Sequence, residues 1–295
     1  MPPPVGRNLA LSLPRRFICD LVHFAKKVPS VPMECRMDLS AVVAARAAAE
    51  PRASWCGIFM KAYARVAAEN PVLRRAYLPF PRPHLYEHPI NVACVGIERR
   101  YGDEEGAFFA HVRWPESQSL TELTRRLQHF KTAPIEEIGS FRRELTVSRL
   151  PRPVRRLLWW YGLNVSGPRR ARRLGTFGVS VVASQGAAGL HLLSPLTTTL
   201  NYGVFQPDGT IDVRLTYDHR VLDGGTAARA LRELERVLRS EIVSELELQR
   251  LVQREESPSD GFSPNASLTA GLEAGSVVPQ NQSAPRLHDG TYALP

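Results

Sequence analysis

Apolar residues return at helical spacing in some stretches of the chain and at alternate positions in others. After Pro14, the residues Phe17, Ile18, Leu21, Val22 and Phe24 fit a helix that Pro29 stops. Residues 31–40 then alternate like a strand, and Asp38 or Ser40 is placed to cap an alanine-rich helix over 41–49. A strong helix is predicted over 54–69, closed by Asn70-Pro71. Residues 90–97 and 107–114 read as two strands around a turn-like stretch of Gly, Asp and Glu. An amphipathic helix is predicted over 119–130, and a second follows Pro134. Short strands begin at Thr176, Thr197 and Thr210, the last two joined by a Pro-Asp-Gly turn. A long helix over 224–246 carries Ala228, Leu231, Leu234 and Leu238. The pattern is mixed α/β, without internal repeats and without a glycine-rich phosphate loop.

Composition narrows this picture only a little. The 295 residues are 43% hydrophobic and 8% aromatic, as in an ordinary globular protein, and no run is apolar enough to span a membrane. No signal-peptide pattern is read at the N-terminus, so a cytoplasmic protein is expected. Cys19, Cys35, Cys56 and Cys94 are widely spaced, which fits buried free thiols in a reducing compartment. The scattered His84, His88, His111, His129 and His191 give no metal-ligand spacing.

Charge is more informative. The chain has 38 Lys+Arg against 29 Asp+Glu, a net of +9. Eight arginines (Arg149, Arg152, Arg155, Arg156, Arg169, Arg170, Arg172 and Arg173) fall in one acid-free segment that also holds Trp159, Trp160 and Tyr161. Outside it, 30 basic residues face 29 acidic ones. The excess charge is therefore local. From residue 257 onward five prolines, four glycines and six serines replace any apolar period, so residues 252–295 are expected to form a disordered tail.

The stretch with the most chemistry is Leu215 to Leu234. A strand ends at Tyr217, His219 follows on a tight turn, and Asp223 precedes Gly224-Gly225 at a helix start. An imidazole held there beside a carboxylate suits general-base work, although a turn-stabilising salt-bridge set has the same spacing.

Residues 218–224, Asp-His-Arg-Val-Leu-Asp-Gly, resemble the D-H-R-x-x-D-G signature of the acyltransferase catalytic domains of 2-oxoacid dehydrogenase complexes. The H-x-x-x-D-G core is shared with the chloramphenicol acetyltransferase-like superfamily. Gly175-Thr-Phe-Gly-Val-Ser180, Arg15-Arg16-Phe17-Ile18 and residues 91–97 are similar to further segments of that family, in the same order. The resemblance spans roughly residues 10–245.

It implies a chloramphenicol acetyltransferase-like two-layer α/β sandwich, with a mixed sheet flanked by helices. It also implies a homotrimer with active sites at subunit interfaces. His219 would be the general base and Ser180 the oxyanion donor, supplied by neighbouring subunits. Asp223 would be structural and paired with Arg15 or Arg16, with Asp218, Arg220 and Gly224 shaping the turn. His191, Thr197 and Thr199 are candidates for the substrate channel, and no metal is implied. A thioester of coenzyme A or of a carrier protein would be co-substrate, with no tightly bound cofactor.

The expected layout is an extension over 1–9, a catalytic domain over 10–251 and the tail. No lipoyl-lysine domain or subunit-binding domain is read in the chain. Val181-Val182-Ala183 replaces the family's N-L-G, and only 39 residues separate Ser180 from His219. A free-standing acyltransferase is therefore expected ahead of a dihydrolipoamide acyltransferase fed by a lipoyl domain in trans, or a non-catalytic trimeric scaffold. The basic insertion over 149–174 is read as an amphipathic helix packing its tryptophans on the body. Its alternatives are a dock for an acidic acyl carrier protein, for coenzyme A phosphates, or for an anionic membrane surface. Nucleic acid is disfavoured, because no binding module accompanies the charge.

Overall fold

Alternating side chains along six strands divide one mixed sheet into an apolar face and a largely polar one. The structure, a computed structural model, describes residues 6–256. The sheet consists of β1 (Ser30–Asp38), β4 (Val92–Tyr101), β5 (Glu104–Arg113), β6 (Phe177–Val179), β7 (Thr198–Tyr202) and β8 (Thr210–Asp218), in the order β1-β8-β7-β6-β4-β5. β6 runs parallel to both β4 and β7; the remaining pairs are antiparallel.

On the apolar face lie Met37, Val213, Leu215, Leu200, Phe177, Val179, Val95 and Phe108, all buried. They pack with helices α2 (Ser40–Ala48), α3 (Trp55–Glu69), α4 (Leu120–Thr132) and α8 (Gly224–Val237) in one core. A fully buried side chain of this kind, such as Leu234, is worth about 1.5–3 kcal/mol over leaving it exposed. α4 starts at a capping-box sequence: Ser119 Oγ accepts the Glu122 N–H at 3.1 Å.

The second face is covered only in part. Helix α1 (Leu13–Ala25) lays Phe17, Leu21 and Phe24 against Trp159 and Leu163 of α6 (Arg152–Asn164), with Phe109 of β5 beside them. Helix α5 (Gly139–Arg149) runs along edge strand β5, and Glu144 Oε1 accepts the Phe109 N–H at 2.9 Å. That contact occupies an edge donor that would otherwise be open to pairing.

The basic segment forms two helices, α6 and α7 (Gly167–Leu174), rather than the single solvated helix expected. Three of its arginines are committed inward. Arg155 and Arg156 both reach the buried Asp20 carboxylate, at 2.7 and 2.8 Å. Arg170 is buried and donates to the carbonyls of Tyr77, Leu163 and Pro195. Burial pulls its guanidinium down to a pKa of about 10, against the raising effect of Asp218. These three side chains are therefore spent on the fold.

Other expectations need adjusting. A two-stranded hairpin, β2 (Arg75–Leu78) with β3 (His84–Glu87), has no counterpart in the sequence reading. The last helix passes through one π-helical turn at Leu238–Ile242 and continues as α9 (Val243–Glu256), beyond the expected end of the body at Leu251. All four thiols are free, but only Cys94 is buried; Cys35 and Cys56 are partly buried and Cys19 is exposed. No helix among the described residues is long and apolar enough to cross a membrane. The bulk of the expected tail, from Ser257 on, lies outside the described residues.

Candidate active site

Strand β8 delivers the histidine, and the residues on either side of it fix its direction. Asp218 is fully buried, and its carboxylate receives a two-pronged contact from Arg220 at 2.9 and 2.7 Å, plus the Arg220 backbone N–H at 3.0 Å. The Arg220 guanidinium also lies 4.5 Å from the Tyr77 ring centroid, a cation–π contact. The His219 N–H donates to the Pro29 carbonyl at 3.0 Å. The backbone on both sides of His219 is thus held, while its imidazole stays half exposed.

Asp223 Oδ1 stands 3.8 Å from His219 Nδ1, longer than a hydrogen bond. Asp223 is itself 91% exposed and caps α8 through its backbone carbonyl, which accepts from Thr226 and Ala227. Facing Asp223 with Nδ1 leaves Nε2 as the nitrogen open to a substrate proton. Gly224 keeps the helix start close to Tyr217, whose hydroxyl would lie 3.5 Å from any added Cβ.

The expected pairing of Asp223 with Arg15 or Arg16 does not form. Arg16 Nε donates to the Leu11 carbonyl at 3.0 Å, and Arg15 is exposed at the start of α1, where its backbone N–H meets Ser12 Oγ. The arginine that organises this turn is Arg220, working on Asp218. A partner only two residues away needs no long-range assembly.

Ser180 follows β6. Its backbone N–H donates to the Leu200 carbonyl at 3.1 Å, which sets its register beside Asn201. The absence of a side chain at Gly96 opens the space on the other side: a Cβ there would lie 3.9 Å from Ser180 Oγ. Gly175, which starts this segment, has φ +86° and sits where a Cβ would meet the Val92 carbonyl oxygen at 2.7 Å. Glycine is required there on both counts.

Strand register separates the two residues. Tyr217 pairs with Thr198, and Gly178 with Thr199. His219 therefore lies two residues beyond that level in one direction, and Ser180 three residues beyond Phe177 in the other. At ~3.3 Å per residue they stand roughly 16 Å apart along the strands, with β7 between them. One chain does not bring them together.

Each end has neighbours that sequence reasoning missed. On the polar face, Ser180, Asn201, Arg214 and Glu34 occupy one row across β6, β7, β8 and β1. Asn201 Nδ2 donates to the Gly189 carbonyl at 2.9 Å and Arg214 pairs with Glu34, while Asn201 Oδ1 and Arg214 Nη1 are buried without partners. At the opposite end, His191 Nε2 meets Ser30 Oγ at 2.8 Å, and Ser30 pairs with Asp218. His191 thus lies at the His219 end. Thr197 is buried and donates to the Arg75 carbonyl, whereas Thr199 presses on Gly178 with its hydroxyl buried and unpaired. Only the alternation within β7 and β8 hinted at Asn201 and Arg214; the row they form is a product of pairing. No His, Cys, Asp and Glu cluster suited to a metal occurs among the described residues.

Comparison with family models and with curated protein sequences finds no match. Solved structures do match. The dihydrolipoamide acetyltransferase of Azotobacter vinelandii superposes with a TM-score of 0.60 at 18% identity, over 83% of this chain and 98% of that one. A probable dihydrolipoamide acetyltransferase from Listeria monocytogenes gives 0.55 at 17%, over 87% and 98%. A truncated catalytic core of the 2-oxoacid dehydrogenase multienzyme complex from Thermoplasma acidophilum gives 0.58 at 17%, over 80% and 99%. The chain has the fold of the 2-oxoacid dehydrogenase acyltransferase catalytic cores, an α/β sandwich on a mixed six-stranded sheet.

Proposed function

We propose that the protein is an acyltransferase that moves an acyl group from a thioester, of coenzyme A or of a carrier protein, to a thiol, hydroxyl or amine. Its sites form between subunits of a homotrimer. The observation that carries this reading is the separation of His219 from Ser180 within one chain. Both sit at strand ends on a fold shared with acyltransferases, yet only a second copy can supply the missing half of each site. In the Azotobacter protein a serine, a histidine and an asparagine were investigated for roles in the catalytic mechanism; here Ser180, His219 and Asp223 offer the serine, the histidine and a carboxylate.

In this mechanism His219 Nε2 takes the proton of the acceptor as it attacks the thioester carbonyl. The Asp223 carboxylate steadies the imidazolium that results. Ser180 of the neighbouring subunit donates its hydroxyl to the oxyanion of the tetrahedral intermediate. Collapse expels the thiolate, which recovers the proton from His219. The buried Asp218–Arg220 fork acts through position, keeping the turn from swinging.

The test is release of free thiol from acyl-coenzyme A in the presence of thiol, hydroxyl and amine acceptors, with dihydrolipoamide among them. His219→Ala should lower turnover by at least about 10²-fold with the fold intact. Ser180→Ala should cost a similar factor, since one oxyanion donor is worth about 3 kcal/mol. Full activity in His219→Ala would refute the mechanism. A preference for dihydrolipoamide would favour the dehydrogenase-component reading, which the fold of the solved neighbours supports.

A further inference from the structure

A cavity of about 310 Å³ opens between α1, α5, α6, α7 and edge strand β5, away from both ends of the proposed site. It is far larger than the voids left by ordinary packing and falls at the small end of the ~300–1,000 Å³ of small-molecule sites. Phe17, Val147, Leu158, Trp159 and Leu174 give it an apolar wall. Its polar groups are few and differ in kind. His111 and Glu144 belong to the inner wall, and His111 Nε2 is buried with no hydrogen-bond partner. Arg143 and Arg172 also line it and are exposed, while Arg173 is partly buried. None of these three arginines makes an ion pair among the described residues, unlike Arg155 and Arg156, although Arg143 Nη1 donates to the Arg172 carbonyl at 3.5 Å and Arg173 Nη1 to the Leu158 carbonyl at 3.4 Å.

We infer that this cavity binds a small amphipathic carboxylate, its chain against Trp159 and Leu158 and its charged head between Arg143 and Arg172. An apolar wall alone would take any hydrocarbon, but unpaired guanidiniums around the opening select an anion, to which they present planar donor forks. Glu144 is paired with none of them: it is buried in the inner wall, its Oε1 accepts the Phe109 N–H, and burial raises its pKa well above the usual carboxylate value. Burial, with Arg143 next in effect, lowers His111 to about 4, leaving a neutral imidazole whose free nitrogen meets the ligand rather than repelling or attracting charge. The site does not depend on the acyltransferase reading. Phe109 of edge strand β5, packed on Phe17, lies across from Gly96 in the row of Ser180, where a Cβ on Gly96 would sit 3.8 Å from its ring and 3.9 Å from Ser180 Oγ, and Ser180 does not line the cavity.

Titration of the full chain with decanoate, followed by tryptophan fluorescence and by calorimetry, tests the inference. Decanoate should bind saturably at one per chain, and acetate and decanol at least about tenfold more weakly, because one lacks the chain and the other the charge. Gly162 lines the cavity, and a Cβ there makes only ordinary contacts with Arg173, at 3.6 Å. Gly162→Leu should therefore fill the space and abolish binding. Ser140→Trp narrows the same cavity from α5 and serves if the first variant does not fold. The double variant Arg143→Ala/Arg172→Ala should weaken decanoate about tenfold and leave decanol unchanged. Absence of saturable decanoate binding, equal affinity for decanol, or binding undiminished by the filling variants would overturn the assignment.

Discussion

At the scale of single residues, burial sets the chemistry more than residue type does. Two histidines that look alike in the sequence differ sharply once placed: His219 stands half in solvent at a strand end, whereas His88 is 2% exposed with Nδ1 unpartnered. Burial, followed by the nearby Arg170 and Arg74, lowers the His88 pKa to about 4. An unfolded histidine takes its proton near 6.5, so between those values the unfolded state binds protons and the native state does not. The stabilising contribution is therefore complete above about pH 6.5 and is lost as the pH falls towards 4, at about 1.4 kcal/mol per unit. Urea titrations should show a steep loss of stability over that window, to which the buried His111, also held near 4, adds, and His88→Asn should remove about half of the slope; an unchanged slope would mean that His88 does not contribute to it. The same scale explains a misassigned partner. The sequence offered Arg15 or Arg16 for Asp223, but the carboxylate that needs a guanidinium is the buried Asp218, and Arg220 supplies it.

At the scale of elements, the arginine-rich helix is a structural strut. Its composition suggested an amphipathic segment with tryptophans against the body; Trp159 does pack on Phe17 and Phe24, at centroid distances of 5.1 and 6.0 Å, whereas Trp160 stays exposed beside Phe80. What composition could not reveal is Asp20, more than 130 positions earlier, buried in α1 and facing two of those arginines. A buried carboxylate is tolerable only when paired, and its removal leaves two inward cations without an anion. Asp20→Ala should cost about 3 kcal/mol in urea unfolding, whereas Arg152→Ala, on the exposed first turn of α6, should change it by less than about 0.5 kcal/mol. A small effect of Asp20→Ala would show that α6 is held by its aromatic contacts alone. The membrane and carrier-protein readings of this segment lose Arg155, Arg156 and Arg170 as contacts, and retain Arg149, Arg152, Arg169 and Arg172 as its exposed cations.

At the scale of the whole molecule, the two-ended arrangement of the sheet is the feature with the most consequence. The proposed division of the site between chains predicts complementation. Chains carrying His219→Ala and chains carrying Ser180→Ala, each inactive alone, should regain activity when refolded together, because some interfaces then join an intact His219 to an intact Ser180. Random mixing in a ring of three would restore about a quarter of the sites. No recovery, in mixed oligomers verified by mass, would place the chemistry within one chain and overturn the proposal.

The sequence by itself determined the alternation of elements, the single polar turn carrying Asp218, His219 and Arg220, and the local origin of the positive charge. These are properties of neighbouring residues: periodicity, a turn and a run of like side chains are all written within a few positions. Tertiary structure alone decided which charges remain exposed, which histidines are held neutral, and that Ser180 belongs in a row with Asn201 and Arg214 rather than beside His219. Those outcomes depend on strand register and on burial, which pair residues across long separations that no local pattern encodes.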